Sequence, residues 1–217
     1  MIRNIIFDWS GTLVDDLPGV FAATNQVFQE RGLPPLTLDQ FRAEFCLPFK
    51  NFYDRFLPHI PLPELERAFH ASFIRAGHEV GELPHAREFL QFCGARGIRS
   101  FVLSTIRPDY YAAQTAVNGF DKFMERAYVA VLDKRAKIAE VLAANRLAAA
   151  ETLFVGDMQH DMETARHGGV FSCAVLTGYN RLEQLRASRP DLIVEHLGEL
   201  REILARRDFA LPLAGCP

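Results

Sequence analysis

Apolar and polar positions along this 217-residue chain fall into two regimes. The run Ile5-Ile6-Phe7 is apolar at consecutive positions and predicts a short buried parallel strand, with Gly11-Thr12 marking a sharp turn after it. From Leu17 the spacing becomes helical. Leu17, Val20, Phe21, Thr24, Val27 and Phe28 predict a helix ended by Gly32, and Leu33-Pro34-Pro35 is a break. Thr37 reads as the N-cap of a helix carrying Leu38, Phe41 and Phe45. Cys46-Leu47-Pro48 interrupts it, and Phe49, Phe52, Tyr53 and Phe56 predict another helical stretch. Pro58, Pro61 and Pro63 precede a longer helix from about Glu64 to Ala76. No strand is predicted between 16 and 81, and eight of the eighteen phenylalanines fall between Phe28 and Phe73, so a small bundle with an aromatic core is expected there.

From Pro84 strands and helices alternate. The pattern predicts a helix over Ala86–Arg96 closed by Gly97, a strand over Arg99–Leu103, a helix near Pro108–Val117 and a weaker strand at Tyr128–Leu132. A helix over Lys134–Asn145, a strand over Thr152–Val155, a helix near His160–His167 and a strand over Phe171–Leu176 follow. A short strand at Asp191–Val194 and a helix to about Arg206 complete the series. The predicted fold is α/β: a doubly wound, mainly parallel, Rossmann-like sheet with an inserted all-helical cap domain. Its α/β core would comprise 1–15 and 82–217, and the cap 16–81. Right-handed crossovers place the C-terminal ends of all parallel strands on one edge. A helical block inserted directly after the first strand would hang over that edge as a lid. The apolar tail from Phe209 to Pro217 is expected either to dock on the body or to fray.

Composition narrows the function. Net charge is −3 with 49% hydrophobic residues, which is ordinary for a globular chain and argues against a nucleic-acid or acidic-membrane partner. Cys46, Cys93, Cys173 and Cys216 form no CxxC pair, which suits reduced thiols and a cytoplasmic location better than a disulfide framework or zinc site. Residues Met1 to Asn4 lead straight into a strand without a signal-peptide pattern, and no apolar run approaches the ~18 residues a membrane span needs.

The predicted sheet edge collects the candidate chemistry. The first strand ends at Asp8 and Ser10 and the second at Ser104-Thr105. The third is followed by Asp133-Lys134, and the fourth gives Gly156-Asp157-Met158-Gln159-His160-Asp161. Each has an ordinary reading by itself: a turn serine, a solvated first-turn lysine, or a helix-capping aspartate. Together they suit a divalent metal and a phosphate, because carboxylates are the hard oxygen ligands Mg²⁺ takes. An ammonium and a hydroxyl can hold phosphate oxygens. Asp15 and Asp16 are expected to cap and charge the next helix.

These residues resemble the motifs of the haloacid dehalogenase superfamily. Asp8-Trp9-Ser10-Gly11-Thr12 stands for Asp-x-Asp-Gly-Thr, Phe101 to Ser104 for the strand ending in Ser or Thr, Lys134 for the motif lysine, and Gly156-Asp157 with Asp161 for Gly-Asp-x-x-x-Asp. Lys137 is the other lysine available. The inserted helices resemble the cap of phosphoglycolate phosphatase-like members. The resemblance implies a Mg²⁺-dependent hydrolase of a small phosphorylated metabolite: Asp8 as nucleophile forming an aspartyl-phosphate, with Ser104 and Lys134 beside it. It also implies Mg²⁺ on Asp8, the carbonyl of Ser10, Asp157 and Asp161, and substrate contacts from Gly11, Thr12 and Thr105.

Ser10 departs from that pattern. Phosphatases of the superfamily use an Asp there as acid and base, a contribution of roughly 10²- to 10⁴-fold that a serine hydroxyl does not match. The substitution leaves slow turnover, with His59 or His70 as possible replacements. Trp9 followed by a small residue resembles the phosphonoacetaldehyde hydrolases, whose motif reads Asp-Trp-Ala-Gly-Thr and whose cap lysine forms a Schiff base. Lys50, flanked by Phe49, Phe52 and Tyr53, would be that lysine or a substrate-binding one; the bland reading is a surface lysine. Trp9 would otherwise pack against the cap hinge. Cleavage of a carbon–phosphorus bond, and a non-catalytic Mg²⁺- and phosphate-binding protein, therefore stay beside the phosphatase reading.

Overall fold

The computed structural model describes residues 1–211. In chain order, β1 (Asn4–Phe7) and the two-residue β2 (Val14–Asp15) lead into α1 (Leu17–Glu30), α2 (Leu38–Glu44), α3 (Phe49–Phe56) and α4 (Leu62–Ala76). Then come β3 (Gly81–Glu82), α5 (Ala86–Ala95), β4 (Arg99–Leu103), α6 (Pro108–Asn118), β5 (Arg126–Tyr128) and α7 (Lys134–Asn145). The remainder is β6 (Thr152–Gly156), α8 (Gln159–Gly168), β7 (Phe171–Val175), α9 (Leu182–Ala187), β8 (Leu192–Val194) and α10 (Leu197–Arg206).

Six strands form one sheet in the order β5-β4-β1-β6-β7-β8, every neighbouring pair parallel. Its two faces follow from the period of a strand, in which successive side chains point opposite ways. Ile5 and Phe7 of β1 join the core under α5 and α10 with Phe89, Leu90, Leu200 and Leu204. Ile6, between them, joins the core under α7 and α8 with Ile138, Val141 and Ala165. The first strand is thus buried on both sides, which is why it reads as a continuous apolar run. The tail's first residues dock: the Ile2 amide donates to the Phe209 carbonyl at 2.8 Å, and the Phe209 ring stacks on Phe92. Residues 212–217, including Cys216, lie outside the described residues.

The helices between β2 and β3 enclose a second core of Phe28, Phe41, Phe45 and Phe52. Thr37 caps α2 as expected, its hydroxyl accepting from the Gln40 amide while the Gln40 side chain accepts from the Thr37 amide. This core runs into two residues from the sheet edge, Met158 and Tyr179, with the Tyr179 ring stacked on Phe45 at 5.1 Å.

Several elements differ from the expectation. The apolar run Val129–Leu132 is not a strand. Ala130 takes φ 56°, the amides of Ala130 and Val131 donate to the carbonyls of Ile106 and Ser104, and β5 lies before it at Arg126–Tyr128. Helix α4 starts at Leu62, because Pro63 fits a first turn where its missing N–H is no loss. Val14–Asp15 pairs antiparallel with Gly81–Glu82 at the two crossings into the helical segment, a ribbon too short to leave a pattern. The six-residue α9 was likewise not anticipated. Among the described residues no helix is long and apolar enough to cross a membrane.

Candidate active site

Four groups from three separate stretches of the chain meet where β1 and β6 end and α7 and α8 begin. The fully buried Lys134 ammonium lies 2.9 Å from Asp8 Oδ1 and 2.7 Å from Asp161 Oδ1. The Asp161 contact is a hydrogen bond; the Asp8 contact is an oblique ion pair, so Asp8 Oδ1 has no aligned donor. Asp161 Oδ2 accepts from the Met158 amide at 3.0 Å, fixing this carboxylate at the head of α8. Asp157 accepts from the Thr12 hydroxyl at 3.1 Å and the Tyr179 amide at 2.8 Å. Gly11, at φ 74°, lies so close that a Cβ there would sit 2.6 Å from Asp157 Oδ2. Glycine is therefore required at 11 by both turn and approach.

Burial is the largest influence on these charges. It raises the Asp8 carboxyl above its ordinary value; the Lys134 ammonium opposes the rise and Asp161 adds to it. Burial raises Asp157 further, with Asp8 and Asp161 reinforcing it. Lys134 stays charged because Asp161 and Asp8 outweigh the desolvation that would lower it. His160 is held neutral, lowered to about 4 by burial and by Lys134, and its Nε2 accepts the Lys134 backbone N–H. One ammonium thus faces three carboxylates, and each of Asp8, Asp157 and Asp161 offers an oxygen within 4.8 Å of the others. Hard oxygen donors in excess of local positive charge, one of them lacking an aligned donor, fit a divalent cation.

Ser10 sits beside this cluster with a partner that was expected to do something else. Asp16 occupies the N-cap position of α1, but its side chain makes no capping hydrogen bond. It turns inward instead: the Ser10 hydroxyl donates to Asp16 Oδ2 at 2.5 Å and the Tyr179 hydroxyl to Oδ1 at 2.8 Å. Burial pushes this carboxyl up to about 6, against the lowering effect of both hydrogen bonds. Neither Asp16 nor Tyr179 stood out as a site residue in the sequence, since an Asp before a helix is an ordinary cap and Tyr179 lies in an irregular loop.

A cavity of about 160 Å³ opens over Asp8 and Ser10, between the sheet edge and the helical segment. Thr105 lines it, while the Ser104 hydroxyl lies just outside, accepting from the Ile106 amide at 3.3 Å. Thr12 is fully buried beneath Asp157 and does not reach the cavity. Lys50 does not enter either. Its neighbours Phe49 and Tyr53 line the space, but Lys50 is 63% exposed on the opposite side of α3, paired with Asp54. The aromatic dehydration envisaged for it is absent, because α3 turns the rings inward and the lysine outward. Of the two histidines considered, His70 lines the cavity beside the Tyr110 hydroxyl and His59 is exposed. Lys137 pairs with Glu140 on the surface, which leaves Lys134 as the site lysine. Trp9 packs on α6, with Nε1 donating to Gln114 at 2.6 Å and the ring edge-on to Tyr111, and it belongs to the same buried cluster as Leu13 and Val14.

The profile of the haloacid dehalogenase-like hydrolases matches residues 5–175, from β1 to the end of β7. The chain belongs to this family. Curated haloacid dehalogenase-like relatives include a phosphoglycolate phosphatase from Vibrio parahaemolyticus, 27% identical with 94% of this chain and 96% of the relative covered. One from Xanthomonas campestris is 28% identical, covering 92% and 95%. Among solved structures, a haloacid dehalogenase-like hydrolase from Streptococcus pneumoniae superposes with a TM-score of 0.83 at 22% identity, covering 94% of this chain and 98% of the other. CbbY from Rhodobacter sphaeroides, solved with phosphate, superposes at 0.75 and 19% identity, covering 92% and 96%. At those identities the superpositions establish the shared fold. As a member of the family, this chain is a hydrolase of the phosphatase type.

Proposed function

We propose that this hydrolase cleaves small phosphorylated substrates through an aspartyl-phosphate on Asp8. The observation that carries the reading is the placement of Asp8: a buried carboxylate at the floor of a cavity, 2.9 Å from an ammonium that Asp161 holds in place. Asp8, the backbone carbonyl of Ser10, Asp157 and Asp161 would hold Mg²⁺, which supplies positive charge to offset that developing on the phosphoryl oxygens.

The Asp8 carboxylate attacks phosphorus, the bond from phosphorus to the leaving oxygen breaks, and its electron pair departs with that oxygen. Water then attacks the phosphorus of the aspartyl-phosphate, releasing phosphate and restoring Asp8. Lys134 screens the approach of an anion to an anion. Thr105, which lines the cavity, lies where it can orient phosphate oxygens, with Ser104 supporting the turn, while the Gly11 and Thr12 amides already donate to the carbonyls of Val14 and Trp9 and shape the loop beneath. The helical segment 16–81 closes over the site as a cap and keeps bulk water from the intermediate.

The weak point is proton supply. The Ser10 proton is committed to Asp16, so Ser10 offers the leaving oxygen none. The carbon–phosphorus alternative loses its required lysine, since Lys50 points away.

The reading is tested with acetyl phosphate, whose leaving group needs no proton, plus and minus Mg²⁺. Acid-quenched protein is expected to carry phosphate on the Asp8 peptide, and Asp8→Asn to carry none and release none. Phosphate that stays on Asp8 without turnover would instead make the chain a phosphate-trapping protein.

A further inference from the structure

The geometry points to a single-ring aryl phosphate as the substrate class, its ring buried in the cavity and its phosphoryl group on Asp8. This rests on the aspartyl-phosphate reading above and names what that site accepts. Three independent observations converge on it.

The first is the lining. Phe45, Phe49, Tyr53, Phe69, Phe73 and Tyr110 present aromatic surface to the space, with the Met158 thioether at its base. Rings and thioethers favour an aromatic guest by edge-to-face and sulfur–ring contacts in addition to area burial.

The second is size. At about 160 Å³ the cavity matches the ~150 Å³ apolar cavity known to admit benzene. A volume of that scale suits one ring better than two fused ones.

The third is charge. A carboxylate-bearing substrate such as phosphoglycolate, the substrate named for the relatives, needs a cation for its second anionic end. Among the described residues only Arg107 and His70 are basic in the lining. Arg107 already has a counter-charge: its Nε and one terminal nitrogen bond both oxygens of Asp109 at 2.9 and 2.7 Å, which offsets its pull on a second anion, and its guanidinium lies over Tyr110. Burial and Arg107 together lower the His70 pKa, so it stays neutral. Glu66 adds an acidic group to the same wall.

Reactivity agrees with recognition. When the phosphorus–oxygen bond of an aryl ester breaks, the electron pair leaves on a phenolate, whose conjugate acid has a pKa near ~10. Such an oxygen departs without a donor, whereas an alkoxide does not. The site that lacks a proton at Ser10 is therefore matched to the ring it can bury.

The test compares Mg²⁺-loaded wild-type protein on phenyl, cyclohexyl, ethyl and 1-naphthyl phosphates, phosphoglycolate and acetyl phosphate. Phenyl and cyclohexyl phosphates are both expected to have a KM roughly tenfold or more below that of ethyl phosphate, from burial of the ring, with phenyl phosphate the lower of the two because only it gains the edge-to-face and sulfur–ring contacts. Phenyl phosphate is expected to exceed cyclohexyl phosphate in kcat by roughly 10²-fold, from the leaving group. 1-Naphthyl phosphate and phosphoglycolate should fall at least tenfold below phenyl phosphate in kcat/KM. Val20→Phe, which fills the cavity, should raise the KM for phenyl phosphate. Phenylphosphonate should inhibit acetyl phosphate hydrolysis at least tenfold better than methylphosphonate, a readout that needs no variant to fold. If acetyl phosphate is hydrolysed through Asp8 but phenyl phosphate has no advantage over ethyl phosphate or phosphoglycolate, the aryl assignment fails and the hydrolase reading stands. If nothing is hydrolysed through Asp8, both fail.

Discussion

The Ser10 hydroxyl donates a 2.5 Å hydrogen bond to Asp16, so the position at which phosphatases of this superfamily carry an acid/base Asp is here coupled to a second carboxylate six residues on. Restoring an aspartate at position 10 alone would press two carboxylates together in a buried site. Two charges about 4 Å apart at an effective dielectric of ~20 repel by ~4 kcal/mol. Ser10→Asp is therefore expected to lose on the order of 2–4 kcal/mol in urea denaturation at pH 8. Ser10→Asp combined with Asp16→Asn should recover most of it. Only that double variant is expected to gain turnover on ethyl phosphate, by roughly tenfold or more. Additive losses in the double variant would show that the two positions are not coupled.

Lys134 is a second place where charge and stability are joined. It is fully buried between Asp8 and Asp161, so Lys134→Met leaves two buried carboxylates without their cation. Breaking such a pair costs about 3–5 kcal/mol, a large part of the 5–15 kcal/mol typical of a domain. Lys137→Ala, one turn on and paired with Glu140 at the surface, should change stability by less than about 0.5 kcal/mol. Equal effects from the two variants in a urea titration would contradict the assignment of Lys134.

The same cluster predicts a metal effect in the absence of substrate. A ligand that binds only the folded state at 100 times its Kd stabilises by about 2.7 kcal/mol, or roughly 5–10 °C in Tm for a chain of this size. Mg²⁺ should produce a shift of that order in thermal unfolding. Asp157→Asn should abolish it while keeping the fold, since an amide can still accept from the Tyr179 N–H and donate to Thr12. A full Mg²⁺ shift in that variant would remove Asp157 from the metal set.

Much of this site was legible because its residues follow strands. A strand that ends leaves its next side chain on the sheet edge, so Asp8, Ser104 and Asp157 could be placed together from the alternation of elements alone, and Lys134 and Asp161 from the helices that follow. What could not be read was orientation within loops and on helices. Asp16 was read as a cap because Asp before a helix is one in most sequences; its inward turn depends on Tyr179, 163 positions away. Lys50 looked dehydrated because its neighbours are aromatic, yet on a helix adjacent residues point in different directions, and Phe49 and Tyr53 took the inner face. The strand expected at Tyr128–Leu132 failed for a related reason: an apolar run can line a loop that packs along the sheet edge as well as a strand within it.

His70 supplies a pH dependence with a definite sign. Burial, and then the nearby Arg107, lower its pKa in the folded protein, while in the unfolded chain it titrates near ~6.5. Below about pH 6.5 the unfolded state takes up a proton that the folded state does not, so this residue's contribution weakens folding as pH falls. The loss levels off once pH is below the lowered folded value, where both states are protonated. His70→Gln keeps a polar partner for the Tyr110 hydroxyl, 3.2 Å away, but cannot titrate. The stability difference between wild type and His70→Gln, measured by urea denaturation from pH 8 to pH 5, should be constant above about pH 7 and move in favour of the variant below it. A difference that stays flat through that range would mean that His70 titrates alike in the folded and unfolded states. The wall of the cavity nearest Tyr110 would then carry a protonated imidazole at acidic pH, with a cation available for a carboxylate after all.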